Sequence, residues 1–229
     1  MKEALKDFIK RRLQYHLDKL DKLFDKDELA YLSSHCKNEQ QIRDRIAWQL
    51  HKNITLNTQD GDKYVVRREW APAGFGKQKV DLAILEMDSN KDKVEHVVAL
   101  IEFKAQSIAR DEKWYRNEFI HDVDKMKTIK HGNDECKDAE LYFVFLETGQ
   151  SKEAAEYKSV LGFSKYMDGC VFCDGPQDKT YLDAINVFWR KFEGLLEESI
   201  SIHAPIAIEI GEAYGYKQYV SPLLIGPLE

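Results

Sequence analysis

The sequence lacks several signatures that would assign a function directly. It has no phosphate-binding P-loop, no dinucleotide-binding glycine fingerprint and no serine nucleophile elbow. None of its seven histidines has the HxxxH spacing of a zinc site. No segment approaches 18 consecutive apolar residues, which predicts that the chain does not cross a membrane. The N-terminal region carries charges throughout and lacks the apolar core of a signal peptide, so we expect a cytoplasmic protein.

Cysteine is also scarce. Four cysteines without a secretion signal do not form the disulfide framework of a small secreted domain. Cys170 and Cys173 have the CxxC spacing of two zinc ligands. No second CxxC exists, and the segment from Gly169 to Cys173 is also typical of a short buried strand. Both interpretations of this segment remain open.

The net charge of the chain bears on whether it binds nucleic acid. A net charge of -6 argues against a protein that coats nucleic acid without specificity. It does not exclude an enzyme that acts on nucleic acid, because such an enzyme needs only a local basic surface. Four basic clusters are candidates, although each taken alone is typical of a solvated face: Lys10 to Arg12, Arg43 with Arg45, Arg67 with Arg68, and Lys77 with Lys79.

Apolar periodicity predicts alternating helices and strands. Helices are predicted at about 2–24, 38–51, 110–129, 151–160 and 180–200, and strands at about 63–70, 79–85, 97–104, 140–146, 169–173 and 206–210. Three successive strands followed by strand–helix crossovers predict an α/β fold with a mixed central sheet flanked by helices. At 229 residues we expect one domain over 1–229. Its core lies at about 38–173, with a helical N-terminal extension at 1–37 and a C-terminal helix and tail at 174–229.

Two of the predicted strands carry charges in unusual places. Asp81 interrupts an apolar strand, and Glu102 and Lys104 lie at the end of the next one. A buried charge is costly unless it is paired or bound to metal. Glu102 and Lys104 are two residues apart and share a face of the strand. If the two strands pair, Asp81 lies within reach of Glu102, and the two carboxylates suit a hard cation such as Mg²⁺.

Other charged residues are open to two interpretations. Glu39 lies on the same face of its predicted helix as the apolar residues, so it is either a further metal ligand or a surface carboxylate at a helix N-terminus. Asp122, Asp124 and Lys125 lie largely off the apolar face of their helix, which predicts a solvated face. The charges of Asp81, Glu102 and Lys104 are also compatible with solvated strand ends.

Asp81, twenty intervening residues and then Glu102-Phe103-Lys104 resemble the motif of the PD-(D/E)XK nucleases, the restriction-endonuclease-like superfamily. The glycine-rich turn that precedes Asp81 is similar to one found in many members, although Val80 replaces the proline of the motif. The resemblance implies a restriction-endonuclease-like fold with Asp81, Glu102 and Glu39 as metal ligands and Lys104 as the catalytic lysine. It further implies Gln106 as a substrate-contacting residue and Mg²⁺ as cofactor, for which Mn²⁺ substitutes.

The function that the resemblance implies is cleavage of DNA, with a restriction-like or defence role for an endonuclease. Cutting both strands with one site per chain favours a symmetric homodimer. The alternative is a nucleic-acid-binding or scaffold module that keeps the nuclease fold without turnover. A third possibility is an interaction protein in which the strand-end charges form an ion pair.

Overall fold

The computed structural model describes residues 2–35, 38–58, 60–76, 78–106, 112–151, 171–173, 179, 182–183, 186–187, 190 and 206–228. Only the backbone is described at 2, 34–35, 106, 112–116, 150–151 and 171–173. The predicted helix at 151–160 lies outside these residues, and so does most of the one at 180–200. The side chains of Cys170, Cys173 and Gln106 lie outside them as well.

A seven-stranded mixed sheet organises the chain. Its strands are β1 (Tyr64–Trp70), β2 (Val80–Met87), β3 (Val94–Gln106), β4 (Glu140–Ser151), β5 (Val171–Cys173), β6 (Ile208–Ala213) and β7 (Tyr216–Leu228). Strands β1, β2 and β3 form an antiparallel meander, and β4 pairs with β3 in parallel. The antiparallel pair β7–β6 completes the order β1-β2-β3-β4-β7-β6, while β5 pairs with the end of β4. The predicted α/β class with a mixed sheet is confirmed.

Helices cover both faces of the sheet. They are α1 (Lys2–Asp18), α2 (Glu28–His35), α3 (Glu39–Asn57) and α4 (Glu112–Gly132). One apolar core joins α1, α2 and α3 to one face through side chains such as Leu13 and Ile46. The other core joins α4 to the opposite face through Phe119, Val123 and Phe143. The crossover from β3 to the parallel β4 contains α4, and this connection positions α4 over the end of β3.

Two elements differ from the sequence-based expectation. The sequence pattern did not predict α2, which follows a short 3₁₀ turn at Leu20–Lys22. It also predicted one strand in the C-terminal tail, where the structure has the two strands β6 and β7. Pro222 and Pro227 lie in β7, and proline normally argues against a central strand because it cannot donate to the ladder. None of the helices in the described ranges is long and apolar enough to cross a membrane.

Helix α1 is part of the main core, and a substitution tests how much it contributes. Leu13 is fully buried, so Leu13→Ala should lower the free energy of unfolding by about 2–5 kcal/mol. Lys10→Ala, on the exposed side of the same helix, should change it by less than about 0.5 kcal/mol. Urea unfolding followed by circular dichroism measures both values. Equal values for the two variants would contradict the packing of α1 on the sheet.

Candidate active site

The strand register places three carboxylates in a row across the first three strands. Continuing the β1–β2 register, in which Arg68 pairs with Leu82, sets Glu69 opposite Asp81. Continuing the β2–β3 register by one residue sets Asp81 opposite Glu102. Directly opposite residues point to the same face of a sheet and lie close together. Glu102 lies on the face that α4 covers, where Lys125 contacts it.

Two contacts hold the Asp81 carboxylate, whose side chain is 18% exposed. Its Oδ2 accepts a 2.8 Å hydrogen bond from the Phe103 backbone N–H. Its Oδ1 lies 3.2 Å from Nη1 of Arg43, which donates to it. Both oxygens are therefore fixed by donors from other elements, so the orientation of the carboxylate is defined.

Glu102 is the most deeply buried acid of the row, with 3% of the residue exposed. Its Oε1 lies 2.5 Å from Nζ of Lys125 on α4. The contact has the distance of an ion pair, and no hydrogen bond to this buried oxygen has standard geometry. Burial raises the pKa of Glu102 well above its ordinary value, and the charge of Asp81 and a hydrogen bond between the two side chains add to the rise. The Lys125 ammonium opposes this shift without reversing it.

Lys104 points toward α4 from the end of β3. Its Nζ lies 3.3 Å from Oε2 of Glu118 and 3.2 Å from Oδ2 of Asp122. Burial disfavours the charged form of Lys104, but the charges of Asp122, Glu39 and Glu118 outweigh this effect and raise its pKa. The side chain is consequently a cation at neutral pH.

Glu39 reaches the same region from the N-terminus of α3. Its Oε2 accepts a 2.9 Å hydrogen bond from the Ala105 backbone N–H, next to Lys104 in β3. This contact confirms the predicted inward orientation. Whether Glu39 binds a metal stays a prediction, as do the predicted roles of Asp81, Glu102, Lys104 and Gln106.

Arg43 is buried beneath this region, although the sequence suggested a solvated basic cluster. That prediction was wrong because the guanidinium lies among three acids. It is 2.6 Å from Glu69 Oε1, 3.2 Å from Asp81 Oδ1 and 3.1 Å from Asp44 Oδ1. Glu69 has a positive φ of 51° within a strand, a strained conformation for a residue with a side chain. The ion pair with Arg43 is one of the interactions that hold it there.

The prediction of a solvated face on α4 was wrong for two of its three residues. Asp122 and Lys125 are largely buried and Asp124 is exposed. Asp122 holds both lysines, since its Oδ1 lies 3.2 Å from Lys125 and its Oδ2 lies 3.2 Å from Lys104. The sequence does contain a signal for this arrangement. Glu118, Asp122 and Lys125 fall within about 60° of one another around the helix axis, beside the apolar stripe.

A divalent cation is the group that the sequence pattern implies for this site. The described residues contain no group of three or more His, Cys, Asp or Glu side chains arranged to hold a metal ion. Two carboxylates suffice for Mg²⁺, which usually keeps several waters and binds one or two protein carboxylates. Asp81 and Glu102 are adjacent carboxylates, and Glu102 Oε1 is a buried acceptor to which no hydrogen bond of standard geometry is made. The donor set therefore suits the ion chemically, and the Lys125 ammonium lies against one of its carboxylate oxygens.

Comparison of the chain with protein-family models, with curated proteins and with solved structures gave no match.

Removing Arg43 should destabilise the fold, because Asp81 and Glu69 would lose their shared cation. We expect Arg43→Ala to lower the free energy of unfolding by about 2 kcal/mol, less than for a fully buried pair because Glu69 and Asp44 reach solvent. Arg45→Ala is the matched control. Arg45 is an exposed arginine of the same helix that pairs with Glu28, and such pairs contribute at most about 1 kcal/mol. Urea unfolding compares the two, and equal losses would contradict the role of Arg43 in holding the carboxylates.

The raised pKa of Glu102 predicts a pH dependence of stability. Above about pH 4.5 the unfolded carboxyl ionises while the folded one keeps its proton. The unfolded state then binds fewer protons, so the free energy of unfolding falls as the pH rises toward the folded pKa. In chelator, Glu102→Gln should reduce this fall as the pH rises above about 4.5. Glu95→Gln, at an exposed position of the same strand, should leave it unchanged. A Glu102→Gln profile parallel to that of the wild type would show that the Glu102 pKa is not raised.

Proposed function

We propose that this protein is a divalent-cation-dependent phosphodiesterase that cleaves DNA. The observation that carries the proposal is the contact between Asp81 and Glu102 on neighbouring strands, with Lys104 two residues further along the same face. A metal-dependent phosphodiesterase requires two acidic ligands and a nearby cation. The choice of DNA and of an endonuclease with a restriction-like or defence role comes from the resemblance to the PD-(D/E)XK nucleases.

Asp81 and Glu102 are the residues that would hold the cation, which we take to be Mg²⁺ with Mn²⁺ as a substitute. When bound, the ion would polarise the scissile phosphate and lower the pKa of a coordinated water. The protein contributes the orientation of the ligands. Arg43 and the Phe103 N–H fix Asp81, while the position of Glu102 follows from the β2–β3 register. Glu39 is the candidate for a third acidic ligand, directly or through water.

Lys104 supplies positive charge beside the reacting phosphate. Because its pKa is raised, it is charged at neutral pH and stabilises negative charge that develops in the transition state. Glu118 and Asp122 hold the ammonium over the end of β3. Gln106 follows on the same face of the strand and is the proposed contact to substrate.

The sheet topology supports the proposal at the level of the fold. An antiparallel meander of three strands is followed by a helical crossover to a parallel fourth strand. Asp81, Glu102 and Lys104 lie on the second and third strands, and Glu39 lies on α3, which precedes the first strand. The two acids that contact Lys104 lie on the crossover helix. The resemblance to the PD-(D/E)XK nucleases implies a helix before the first strand and a crossover helix after the lysine strand, and the observed order of elements is compatible with that expectation.

One observation favours a second candidate function. Lys125 lies 2.5 Å from Glu102, so a lysine already supplies positive charge where a metal ligand is proposed. A protein that keeps this ion pair permanently would be a nucleic-acid-binding or scaffold module without turnover. Retention of Asp81, Glu102 and Lys104 together favours the enzyme.

Cleavage assays separate the two functions. We expect the wild type to cut plasmid or single-stranded DNA with Mg²⁺ or Mn²⁺ and to be inactive with chelator, with RNA tested in parallel. Asp81→Asn and Lys104→Gln should each lower the rate by roughly 100-fold or more, because each removes a charge that acts on the transition state. Nicked and linear plasmid products show whether one or both strands are cut, and cutting of both would support the proposed homodimer.

The control variants are Asp92→Asn and Lys93→Gln, in the β2–β3 connection at the opposite end of these strands. They carry the same changes of charge and should cleave as the wild type does. Absence of cleavage under every metal condition would reject the enzyme in favour of the binding module. Equal cleavage by the wild type, Asp81→Asn and Lys104→Gln would show that the nuclease activity comes from elsewhere or from a contaminant.

A further inference from the structure

Lys125 is the residue of the site for which the sequence motif provides no role. It lies on α4, far along the chain from the strands that carry the motif, and 15% of its side chain is exposed. Its ammonium bridges Glu102 Oε1 at 2.5 Å and Asp122 Oδ1 at 3.2 Å. Lys104 takes the other oxygen of Asp122. Asp122 therefore holds the two lysines side by side. They differ in that Lys125 also contacts Glu102, a proposed metal ligand.

We infer that the ammonium of Lys125 is a built-in competitor for the divalent-cation position, held on Glu102 without metal and displaced from it when metal binds. This inference rests on the proposed function, because it takes Asp81 and Glu102 as the metal ligands.

The contact distance makes the two occupants mutually exclusive. Mg²⁺ binds carboxylate oxygens at about 2.0–2.1 Å, and the ammonium nitrogen already lies 2.5 Å from Glu102 Oε1. Two cations on one oxygen would repel each other strongly, since Coulomb energy grows inversely with distance and is poorly screened in a buried site. A metal that takes Oε1 as a ligand must therefore displace the lysine.

Burial explains why a cation is needed in the absence of metal. Asp81 and Glu102 are adjacent, and Glu102 is almost inaccessible to water. Arg43 on α3 donates a hydrogen bond to Asp81. Among the described residues, the cation that contacts Glu102 is Lys125. Displacement does not leave this lysine without a counter-ion. Asp122, one turn earlier on the same helix, stays in contact and keeps the ammonium beside the site, where an anionic substrate would meet it.

Competition predicts that removing the Lys125 charge strengthens metal binding. We expect Lys125→Gln to bind Mn²⁺ about tenfold or more tightly than the wild type, because one opposite charge in contact typically changes the proton affinity of a carboxylate by at least that factor. Lys130→Gln, which removes a lysine from the last turn of the same helix, should leave the affinity unchanged. Titration calorimetry with Mn²⁺ alone measures the Kd of each chain.

A second measurement uses the wild type and does not depend on the folding of a variant. Brief acetylation with and without Mn²⁺, read by mass spectrometry, reports the accessibility of each amine. Labelling of Lys125 should increase several-fold when Mn²⁺ is added, whereas labelling of Lys130 should not change. An increase would show that the metal releases the ammonium.

Three outcomes overturn the inference: equal Mn²⁺ affinity in the wild type and Lys125→Gln, Lys125 labelling that is insensitive to bound Mn²⁺, or no binding by either chain. Failure of the proposed function is a different result. If Lys125→Gln binds Mn²⁺ more tightly but no chain cleaves DNA, the competition between Lys125 and the metal is supported and the proposed nuclease function is rejected. If the wild type cleaves with dependence on Asp81 and Lys104 but both Mn²⁺ affinities agree, only the competition fails.

Discussion

The side chains of Asp81 and Glu102 lie next to each other in a largely buried position, and this contact between two acids constrains the structure around it. Burial and mutual repulsion both disfavour two negative charges. Each acid therefore has its own cation, delivered by a helix from a different face of the sheet. Arg43 on α3 serves Asp81, and Lys125 on α4 serves Glu102. The two helices are joined to the sheet by separate apolar cores, so correct packing on both faces is required before the charges are balanced.

Elements close in the sequence bring the two acids together, and contacts from more distant segments hold them in place. A short connection between β2 and β3 sets the antiparallel register, and the register alone places Asp81 opposite Glu102. The hydrogen bond from the Phe103 N–H to Asp81 then ties a side chain of one strand to the backbone of the next. The crossover through α4 adds the lysine and the Asp122 carboxylate that anchors it. A site assembled in this way has rigid acids and more adaptable cations, because lysine reaches its partner through a flexible stem.

The parts that could be predicted from the sequence are those with a local signal. Apolar runs predicted β2, β3 and β4, and a helical stripe predicted α4. The spacing of Asp81 and Glu102 placed them together once the strands were paired. Arg43 and Lys125 were interpreted as surface residues because Asp81 and Glu102 are distant from them in the chain, although Asp122, three residues before Lys125, is a local signal. The left-handed backbone of Glu69 is equally invisible, since the surrounding residues read as a plain charged strand. The proline-containing β7 was missed because its composition argues against the central position that its pairing with β4 gives it.

That position of β7 has a consequence for how the protein reaches its native state. Strand β7 lies between β4 and β6, so until it arrives β4 presents an open edge of apolar residues to other chains. Unpaired edges of this kind are templates for aggregation, and pairing between segments distant in sequence is slow because loop closure must precede it. A folding intermediate in which β3 and β4 had paired before the β6–β7 hairpin docked would therefore expose this edge to self-association.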